Sequence, residues 1–359
     1  MKHNYKIAVI EGDGIGREVV PEGLRVLEAA SRSYGLNFSW QHFDWSCQRF
    51  LKTGRMMPDD GLDRLRAFDA IYLGAVGYPG VPDHVSLWGL LIPIRRTFQQ
   101  YVNLRPVRLL PGIDSPLKNF PPGSINLSIV RENNEGEYSE IGGRLYRGTD
   151  AELAMQEAVF TRRGCDRVMR YAFELAGTRK RHLTSATKSN GIIHTMPFWD
   201  ERFSAIAQDF PDVRTDQYHI DILAAHFVRH PDWFDVVVAS NLLGDILSDL
   251  GAAVAGSIGL APAANLNPER QYPSMFEPVH GSAPDIAGKG IANPIAQIGS
   301  GAMMLEHLGE LEAARAIERA LETVLESSEL HTPDLGGKAT THDVGEAVAH
   351  ELSLVAKPE

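Results

Sequence analysis

The sequence predicts an α/β fold with mainly parallel strands, because short apolar runs alternate with segments of helical periodicity. The apolar run 6–10 (KIAVI) ends at a glycine-rich turn, and apolar residues then recur at helical spacing over 18–33. Strand-like runs follow at 37–43 and 69–73. Strands separated by helical segments are typical of parallel sheets with helical crossovers.

The same alternation continues along the rest of the chain. Apolar runs at 125–130 and 235–240 predict two further strands, and 181–185 precedes a loop with Lys188 that is expected to follow a strand. Residues 151–176 are predicted to be helical in part, and 295–327 to form a long helical region of one or two helices. The pattern therefore supports an α/β protein over its whole length.

Length and composition predict two domains in an ordinary globular protein. The chain has 359 residues, of which 43% are hydrophobic and 23% charged, and this is long for a single core. The proline-rich segment 104–130 indicates a passage between domains near 103. The Ala-, Gly-, Pro- and Asn-rich stretch 255–275 indicates the return to the first domain.

Charge and cysteine content exclude several classes of function. A net charge of −11 argues against a protein that binds nucleic acid or an anionic membrane surface. Cys47 and Cys165 are too few for a disulfide framework or a thiolate metal cage. No apolar run of the sequence is long enough to span a bilayer, so we expect a cytoplasmic protein.

The glycines at 12, 14 and 16 follow the first strand and resemble a dinucleotide-binding fingerprint. The third glycine comes one residue too early for G-x-G-x-x-G. A tight turn, with Asp13 capping the next helix, explains the pattern equally well. We therefore expect the dinucleotide to bind elsewhere.

Two aspartates predict a site for a divalent cation. Asp245 and Asp249 are four residues apart in an apolar helical segment, so their carboxylates share one face and repel each other. A cation with hard oxygen ligands would relieve this repulsion, whereas the alternative is a solvated acidic face. Asp221 is a third candidate carboxylate.

Basic residues predict a site for an anionic substrate. Arg95, Arg105 and Arg131 lie near the ends of apparent strands, and a guanidinium group donates two parallel hydrogen bonds to a carboxylate. The alternative for each arginine is a surface position. Lys188 lies in a loop after a strand, where a lysine near a metal can act as a general base.

The segment 277–294 (EPVHGSAPDIAGKGIANP) is rich in small residues that allow close approach of the backbone to a ligand. Asp285 is placed to bind the hydroxyls of an adenosine ribose, which favours NAD over NADP. By itself the segment reads only as an irregular glycine-rich loop.

These elements together resemble the isocitrate/3-isopropylmalate dehydrogenase family of β-decarboxylating dehydrogenases. The resemblance covers nearly the whole chain and is closest to the branch that acts on tartrate and D-malate. It rests on long, ordered motifs: GDGIG at 12–16, NLRPV at 103–107, RENNEGEY at 131–138, NLLGDILSDL at 241–250, the 277–294 segment and TPDLGGKATT at 332–341.

The resemblance implies a two-domain fold of the isopropylmalate dehydrogenase type, not a Rossmann fold. Residues 1–102 and 256–359 would form the NAD-binding domain, and 103–255 a second domain with a dimerisation arm. The active site would lie in the cleft between the domains of a homodimer and would be shared between subunits.

The resemblance also implies a role for each candidate. Arg95, Arg105 and Arg131 would bind the substrate carboxylates. Asp245 and Asp249 would bind Mn²⁺ or Mg²⁺ together with Asp221 of the other subunit, and K⁺ is a further candidate. Tyr138 would form the acid/base pair with Lys188 of the other subunit. The NAD-binding residues would be His280, Gly281, Ser282, Ala283, Asp285, Asn293 and Asp334.

The stretch before Arg95 bears on the substrate. Gly89, Leu90 and Leu91 stand close to where isocitrate-type enzymes place polar residues for a third carboxylate. Trp88 occupies the position of a glutamate that is usual in isopropylmalate-type enzymes, and its indole would fill the space of a larger C3 substituent. We therefore expect oxidation of a small 2-hydroxy diacid, tartrate or D-malate, with β-decarboxylation of suitable products. For Trp88, the alternative is that its side chain simply packs in the core. For the function, the alternatives are a 3-isopropylmalate dehydrogenase and a non-catalytic regulatory subunit.

Overall fold

The computed structural model describes residues 3–355. Within this range the chain forms two compact units. The first comprises the described residues up to Gln100, Arg105–Ile125 and the described residues from Gly251 onward. The second comprises Tyr101–Leu104 and Asn126–Leu250.

Arg105–Ile125 groups with the first unit, whereas its sequence position predicts the second domain. Its contacts give the reason. Ser115 donates a hydrogen bond to the carbonyl of Val254 at 2.7 Å. A Cβ atom on Gly112 would stand 1.9 Å from the carbonyl oxygen of Leu325, so the backbones are closely packed. The domain boundaries given above stay a prediction.

The strands of the described chain, in order, are β1 (His3–Gly12), β2 (Leu36–His42), β3 (Ala70–Ala75), β4 (Val102–Arg108), β5 (Asn126–Glu132), β6 (Gly142–Leu145), β7 (Leu153–Gln156), β8 (His182–Thr187), β9 (Arg214–His219), β10 (Val236–Ala239), β11 (Pro262–Leu266) and β12 (Ser274–Pro278).

The α-helices of the described chain are α1 (Gly16–Tyr34), α2 (Cys47–Thr53), α3 (Gly61–Leu65), α4 (Asp83–Ser86), α5 (Ile92–Thr97), α6 (Arg162–Gly177), α7 (Thr195–Ala207), α8 (Ile220–Arg229), α9 (Asn241–Val254), α10 (Ile295–Leu308), α11 (Leu311–Leu325) and α12 (Thr341–Val355). A π-helical turn, Leu87–Leu91, joins α4 to α5.

The first unit contains strands in the order β2-β1-β3-β12-β11. They pair in parallel except for β12 and β11, which are antiparallel. Every residue of β3 is buried, as its apolar run predicts. Amphipathic helix α1 buries Val19, Val26 and Leu27 and packs against α10 and α12.

The second unit contains four parallel strands in the order β5-β10-β8-β9. Its core includes the completely buried strand β10 and a stack of Phe173 on Phe203, whose ring centroids are 5.4 Å apart. Strands β6 and β7 form a separate antiparallel hairpin in which every residue is exposed.

The predicted α/β class is confirmed, since the strands are mostly parallel and alternate with helices. Region 295–327 forms two helices, because Gly309 adopts a left-handed conformation that ends α10. Region 151–176 was predicted as partly helical and contains β7 before α6. Among the described residues, none of the helices combines the length and apolar character needed to cross a membrane.

The glycine-rich turn after β1 is a packing device of the first unit. Gly12 has φ +75°, and a Cβ atom there would stand 2.0 Å from the carbonyl oxygen of Ala75. A Cβ atom on Gly16 would stand 2.2 Å from the carbonyl oxygen of Glu11. The glycines therefore let β1 and α1 pack directly against the end of β3.

Asp13 does not cap α1, contrary to the expectation from sequence. The residue that precedes α1, Ile15, makes no side-chain cap. The buried carboxylate of Asp13 instead accepts hydrogen bonds from the backbone N–H groups of Cys47 at 2.8 Å and Gly77 at 3.2 Å. It therefore binds the start of α2, since tertiary packing turned the side chain away from its own helix.

Substitution of Gly16 by Ala should destabilise the first unit strongly. The added methyl group has no room beside backbone atoms, so we expect a loss of about 3 kcal/mol in the free energy of unfolding, measured by chemical denaturation. Gly177→Ala is the control, because a Cβ atom at that position meets no atom within 4 Å. Equal stability of the two variants would contradict this account of the turn.

Candidate active site

Arg131 is the centre of a polar cluster in the second unit. It lies in β5 and pairs with Ala239 of β10, so the segment 131–138 follows β5 at the edge where α9 begins after β10. The guanidinium group donates to Asp245 at 2.5 Å and to the side-chain oxygen of Asn241 at 2.7 and 3.1 Å. Tyr138 donates its hydroxyl to the other oxygen of Asp245 at 2.8 Å.

Asp245 and Asp249 both belong to α9, as predicted, and Asp249 is exposed. Arg131 supplies positive charge beside Asp245, which reduces the repulsion between the two carboxylates. Carboxylate oxygens have further lone pairs and suit a hard divalent cation. Between residues 3 and 355, however, no group of three or more His, Cys, Asp and Glu side chains is placed to hold a metal ion.

Lys188 and Asp221 are neighbours in the second unit. Lys188 follows β8, and Asp221 lies in the first turn of α8, after the adjacent strand β9. The ammonium group donates to the carboxylate at 2.9 Å, and this hydrogen bond lowers the pKa of Asp221. The Asp221 side chain is 67% exposed. The structure of one chain therefore joins Asp221 to Lys188 and does not group it with Asp245 and Asp249 as a cation site.

Arg95 and Arg105 belong to the first unit, and both are buried. Arg95 lies in α5 and donates to Glu277 of β12 at 2.7 Å. Glu277 also accepts a hydrogen bond from Asn265 of β11 at 2.7 Å. This pairing fixes the guanidinium group of Arg95 in one orientation. Arg105 lies in β4.

Trp88 does not pack in the core, which was the alternative from sequence. It lies in the π-helical turn and is half-buried. The guanidinium carbon of Arg96 is 5.0 Å from its ring centroid, a cation–π distance. In the same turn, Leu90 is completely buried.

The loop 280–293 of the first unit is held by the glycine-rich turn and by α1. The Ser282 carbonyl accepts a hydrogen bond from Ile15 N–H at 2.9 Å, and Glu18 accepts from the N–H groups of Gly288 at 2.6 Å and Gly290 at 2.7 Å. Ala283 has φ +39°, an unusual value for a residue with a side chain. The turn thus supports this loop.

His280 gives the loop a buried polar atom that suits a ligand. Burial lowers the pKa of its imidazole, so the ring is neutral near pH 7. Its Nδ1 atom lies 3.0 Å from the Gly281 carbonyl, while Nε2 is buried and has no hydrogen-bond partner among the described residues. Asp285 and Gly281 are exposed in the same loop. A polar heterocycle or a ribose is a fitting partner for these groups.

Asn293 and Asp334 lie together, as expected, but their contacts are mainly structural. Asn293 donates to Asp334 at 3.1 Å, and Ser257 donates to the same carboxylate at 2.6 Å. The other oxygen of Asp334 accepts from Thr332 at 2.5 Å. In this chain Asp334 therefore connects three loops of the first unit.

Sequence reasoning missed Asn241 and Glu277, which orient two of the predicted arginines. Asn241 contacts Arg131, and Glu277 contacts Arg95. Both residues lie inside motifs that were recognised, NLLGDILSDL and EPVHGS. Their signal was a polar side chain at the carboxyl end of a buried strand, but the partner of each comes from a distant part of the chain.

Comparison with known proteins supports the family expected from the sequence. Residues 6–348 match the family model described as isocitrate/isopropylmalate dehydrogenase. The chain is 58% identical over 356 residues to the D-malate dehydrogenase (decarboxylating) of Escherichia coli (strain K12), covering 97% of this chain and 98% of that one. It is 56% identical over 360 residues to the tartrate dehydrogenase/decarboxylase of Pseudomonas putida, covering 98% of each.

The structural comparison agrees. The isocitrate dehydrogenase of Methylococcus capsulatus superposes with a TM-score of 0.88 at 37% identity, covering 97% of this chain and 99% of that one. Members of the family generally use NAD and a divalent metal ion, and their substrates are small molecules. The predictions of this family, of its fold and of an oxidoreductase similar to tartrate and D-malate dehydrogenases are confirmed. The chain belongs to the isocitrate/isopropylmalate dehydrogenase family.

Proposed function

We propose that this protein oxidises a small 2-hydroxy diacid, tartrate or D-malate, at C2 in a metal- and NAD-dependent reaction. Suitable keto-acid products would then lose the carboxylate β to the ketone. The observation that carries the proposal is the Arg131–Asp245–Tyr138 cluster, which combines a carboxylate-binding cation, an oxygen ligand and a phenolic acid. Identities of 58% and 56% to the two dehydrogenases named above support the same substrates.

The arginines bind the substrate. Arg95, Arg105 and Arg131 would hold its carboxylates, and a guanidinium group does so with two parallel hydrogen bonds. Arg95 and Arg131 are buried and fixed by Glu277 and Asn241, so little conformational entropy is lost when the diacid binds.

Lys188 and Tyr138 move the protons. Lys188, in its neutral form, would accept the proton of the C2 hydroxyl through its Nζ atom. Asp221 lies beside it and would hold the resulting ammonium group. Tyr138 would donate its phenolic proton to C3 after the carboxylate leaves. Bound NAD would accept the hydride from C2, and the bound divalent ion would stabilise negative charge on the C2 oxygen.

The groups that would hold these cofactors are those expected from the sequence. Asp245 and Asp249, with Asp221 of a second subunit, would bind Mn²⁺ or Mg²⁺, and K⁺ remains a candidate for an additional monovalent ion. NAD would bind at His280, Gly281, Ser282, Ala283, Asp285 and Asn293, with Asp334 nearby. The buried Nε2 atom of His280 supports a ligand at this loop.

A homodimer with shared active sites fits the surface of the second unit. Helices α8 and α9 expose apolar side chains, among them Ile222, which is 46% exposed, and Ile246, which is 52% exposed. The exposed hairpin β6–β7 carries Leu145, Leu153 and Met155 and would serve as the dimerisation arm. Such surfaces mark protein–protein contacts. We retain the cytoplasm as the proposed location.

Particular residues of this chain argue against the two alternative functions, a 3-isopropylmalate dehydrogenase and a non-catalytic subunit. The Trp88 indole, which lies against the Arg96 guanidinium group, would fill the space of a larger C3 substituent and so favours the smaller diacids over 3-isopropylmalate. A non-catalytic subunit would lack part of the machinery, whereas this chain carries every proposed acid, base and metal ligand: Tyr138, Lys188, Asp221, Asp245 and Asp249.

Substrate size is tested by a panel of D-malate, tartrate and 3-isopropylmalate, with NADH and CO₂ as readouts. Wild-type protein should prefer the first two substrates. Trp88→Leu should raise kcat/KM for 3-isopropylmalate by about tenfold or more, because it removes bulk from the site. The control Trp40→Leu removes an indole from β2 and should not change the preference. Preference of the wild-type protein for 3-isopropylmalate would contradict the proposal that tartrate or D-malate is the substrate.

Shared active sites are tested with hybrid dimers. Lys188→Ala and Tyr138→Phe homodimers should each be nearly inactive. A hybrid dimer, purified through a different tag on each subunit, should recover about half of wild-type activity, because one of its two sites keeps both residues. An inactive hybrid would mean that Lys188 and Tyr138 act within one chain.

The metal ligands are tested by binding of Mn²⁺ alone, measured by calorimetry. Asp245→Asn and Asp249→Asn should each weaken Mn²⁺ binding by more than about tenfold, since each loses a charged ligand. Asp212→Asn, which removes an exposed carboxylate elsewhere in the second unit, should bind as tightly as wild type. Unchanged affinity of Asp249→Asn would remove that residue from the site.

A further inference from the structure

Three carboxylates of the segment 131–138 bind three different parts of the second unit. Glu132 accepts hydrogen bonds from the N–H groups of Asn134 and Glu135, and so folds its own loop. Glu135 accepts from the N–H and hydroxyl groups of Thr161, at the start of α6. Glu137 contacts the start of α9, a helix that is distant from it in the sequence.

Glu137 supplies a cap to α9 from a distant part of the sequence. One carboxylate oxygen accepts the hydroxyl of Ser240 at 2.7 Å, and the other accepts the N–H of Leu242 at 3.0 Å. The first N–H groups of a helix lack intrahelical partners and favour an anion. Ser240 precedes α9 and is a residue type that commonly caps a helix. Its hydroxyl is instead donated to Glu137, whose side chain also accepts a hydrogen bond from the first turn.

The position of Glu137 gives this cap a consequence for chemistry. Its neighbour Tyr138 donates to Asp245, one turn further along the same helix. Residues 137 and 138 thus attach the segment to α9 at two points, near Leu242 and at Asp245. Asn241 adds a third attachment through its hydrogen bond to the carbonyl of Glu135 at 3.0 Å. Because the segment is attached to one helix at several points, the Tyr138 side chain has little freedom to shift relative to Asp245.

We propose that Glu137 is a positioning residue, whose carboxylate at the start of α9 sets the place of the Tyr138 hydroxyl relative to Asp245 and Asp249. The proposal rests on the proposed function, in which Tyr138 donates a proton and the aspartates bind the cation. Glu137 acts through Tyr138 and α9 and does not itself exchange a proton with the substrate.

Kinetics of Glu137→Ala and Glu137→Gln, with D-malate, NAD and Mn²⁺, test the proposal. Glu137→Ala should lower kcat on the order of tenfold to a hundredfold, with KM for D-malate changed much less, because the phenol is misplaced while the arginines are intact. Glu137→Gln keeps the size and one acceptor oxygen, so its kcat should be intermediate.

A double-mutant cycle separates positioning from capping. If Glu137 acts through Tyr138, the double variant Glu137→Ala/Tyr138→Phe should be no slower than Tyr138→Phe alone. Ser46→Ala is the control: it removes the cap of α2 in the first unit, where the Ser46 hydroxyl accepts the N–H of Arg49 at 3.1 Å, and it leaves the contacts of the segment 131–138 intact. It should lower Tm by a few degrees and leave kcat unchanged.

The outcomes are distinguishable. Glu137→Ala with a lowered Tm and wild-type kcat would overturn the proposal, as would independent, multiplicative effects in the cycle. Glu137→Gln covers the case in which the alanine variant fails to fold. Wild-type protein without activity towards D-malate or tartrate would overturn the proposed function, and this proposal with it. An enzyme sensitive to Tyr138→Phe but not to either change at Glu137 would overturn the positioning role alone.

Discussion

The parallel pairing of β5 with β10 is the constraint on which the polar cluster of the second unit depends. The register places Arg131 opposite Ala239, so that the chain leaves β5 where α9 begins. A close approach follows, and Gly244 makes it possible: a Cβ atom there would stand 2.7 Å from the Arg131 side chain. One strand register therefore brings Arg131, Tyr138 and the aspartates of α9 together.

Burial of Arg131 makes this arrangement rigid. Arg131 is only 2% exposed, and an unpaired charge at such a site is costly. Asp245 and Asn241 provide the partners, so the arginine, the helix and the 131–138 segment are fixed together. The hydrogen bonds that compensate the buried charge of Arg131 therefore also hold in place the groups proposed to bind the anionic substrate and the cation.

In the first unit, glycines and backbone hydrogen bonds hold a loop of the proposed site in place. A Cβ atom on Gly14 would stand 2.0 Å from the carbonyl oxygen of Ser282, so the turn after β1 can support the 280–293 loop only without a side chain. Glu18 then holds the far part of the loop through two backbone N–H groups. The turn that resembled a dinucleotide fingerprint is therefore a support for the loop proposed to bind NAD.

The sequence alone determined the α/β class, most elements and the family, because apolar periodicity and long ordered motifs are local properties. It also supplied the residues of the proposed site, from Arg95 to Asp334. The tertiary structure decided their partners: Glu277 for Arg95, Asn241 for Arg131 and Glu137 for the start of α9. It also turned Asp13 towards α2. Such pairs join residues far apart in the chain, so strand register and packing select them, and no local pattern records that choice.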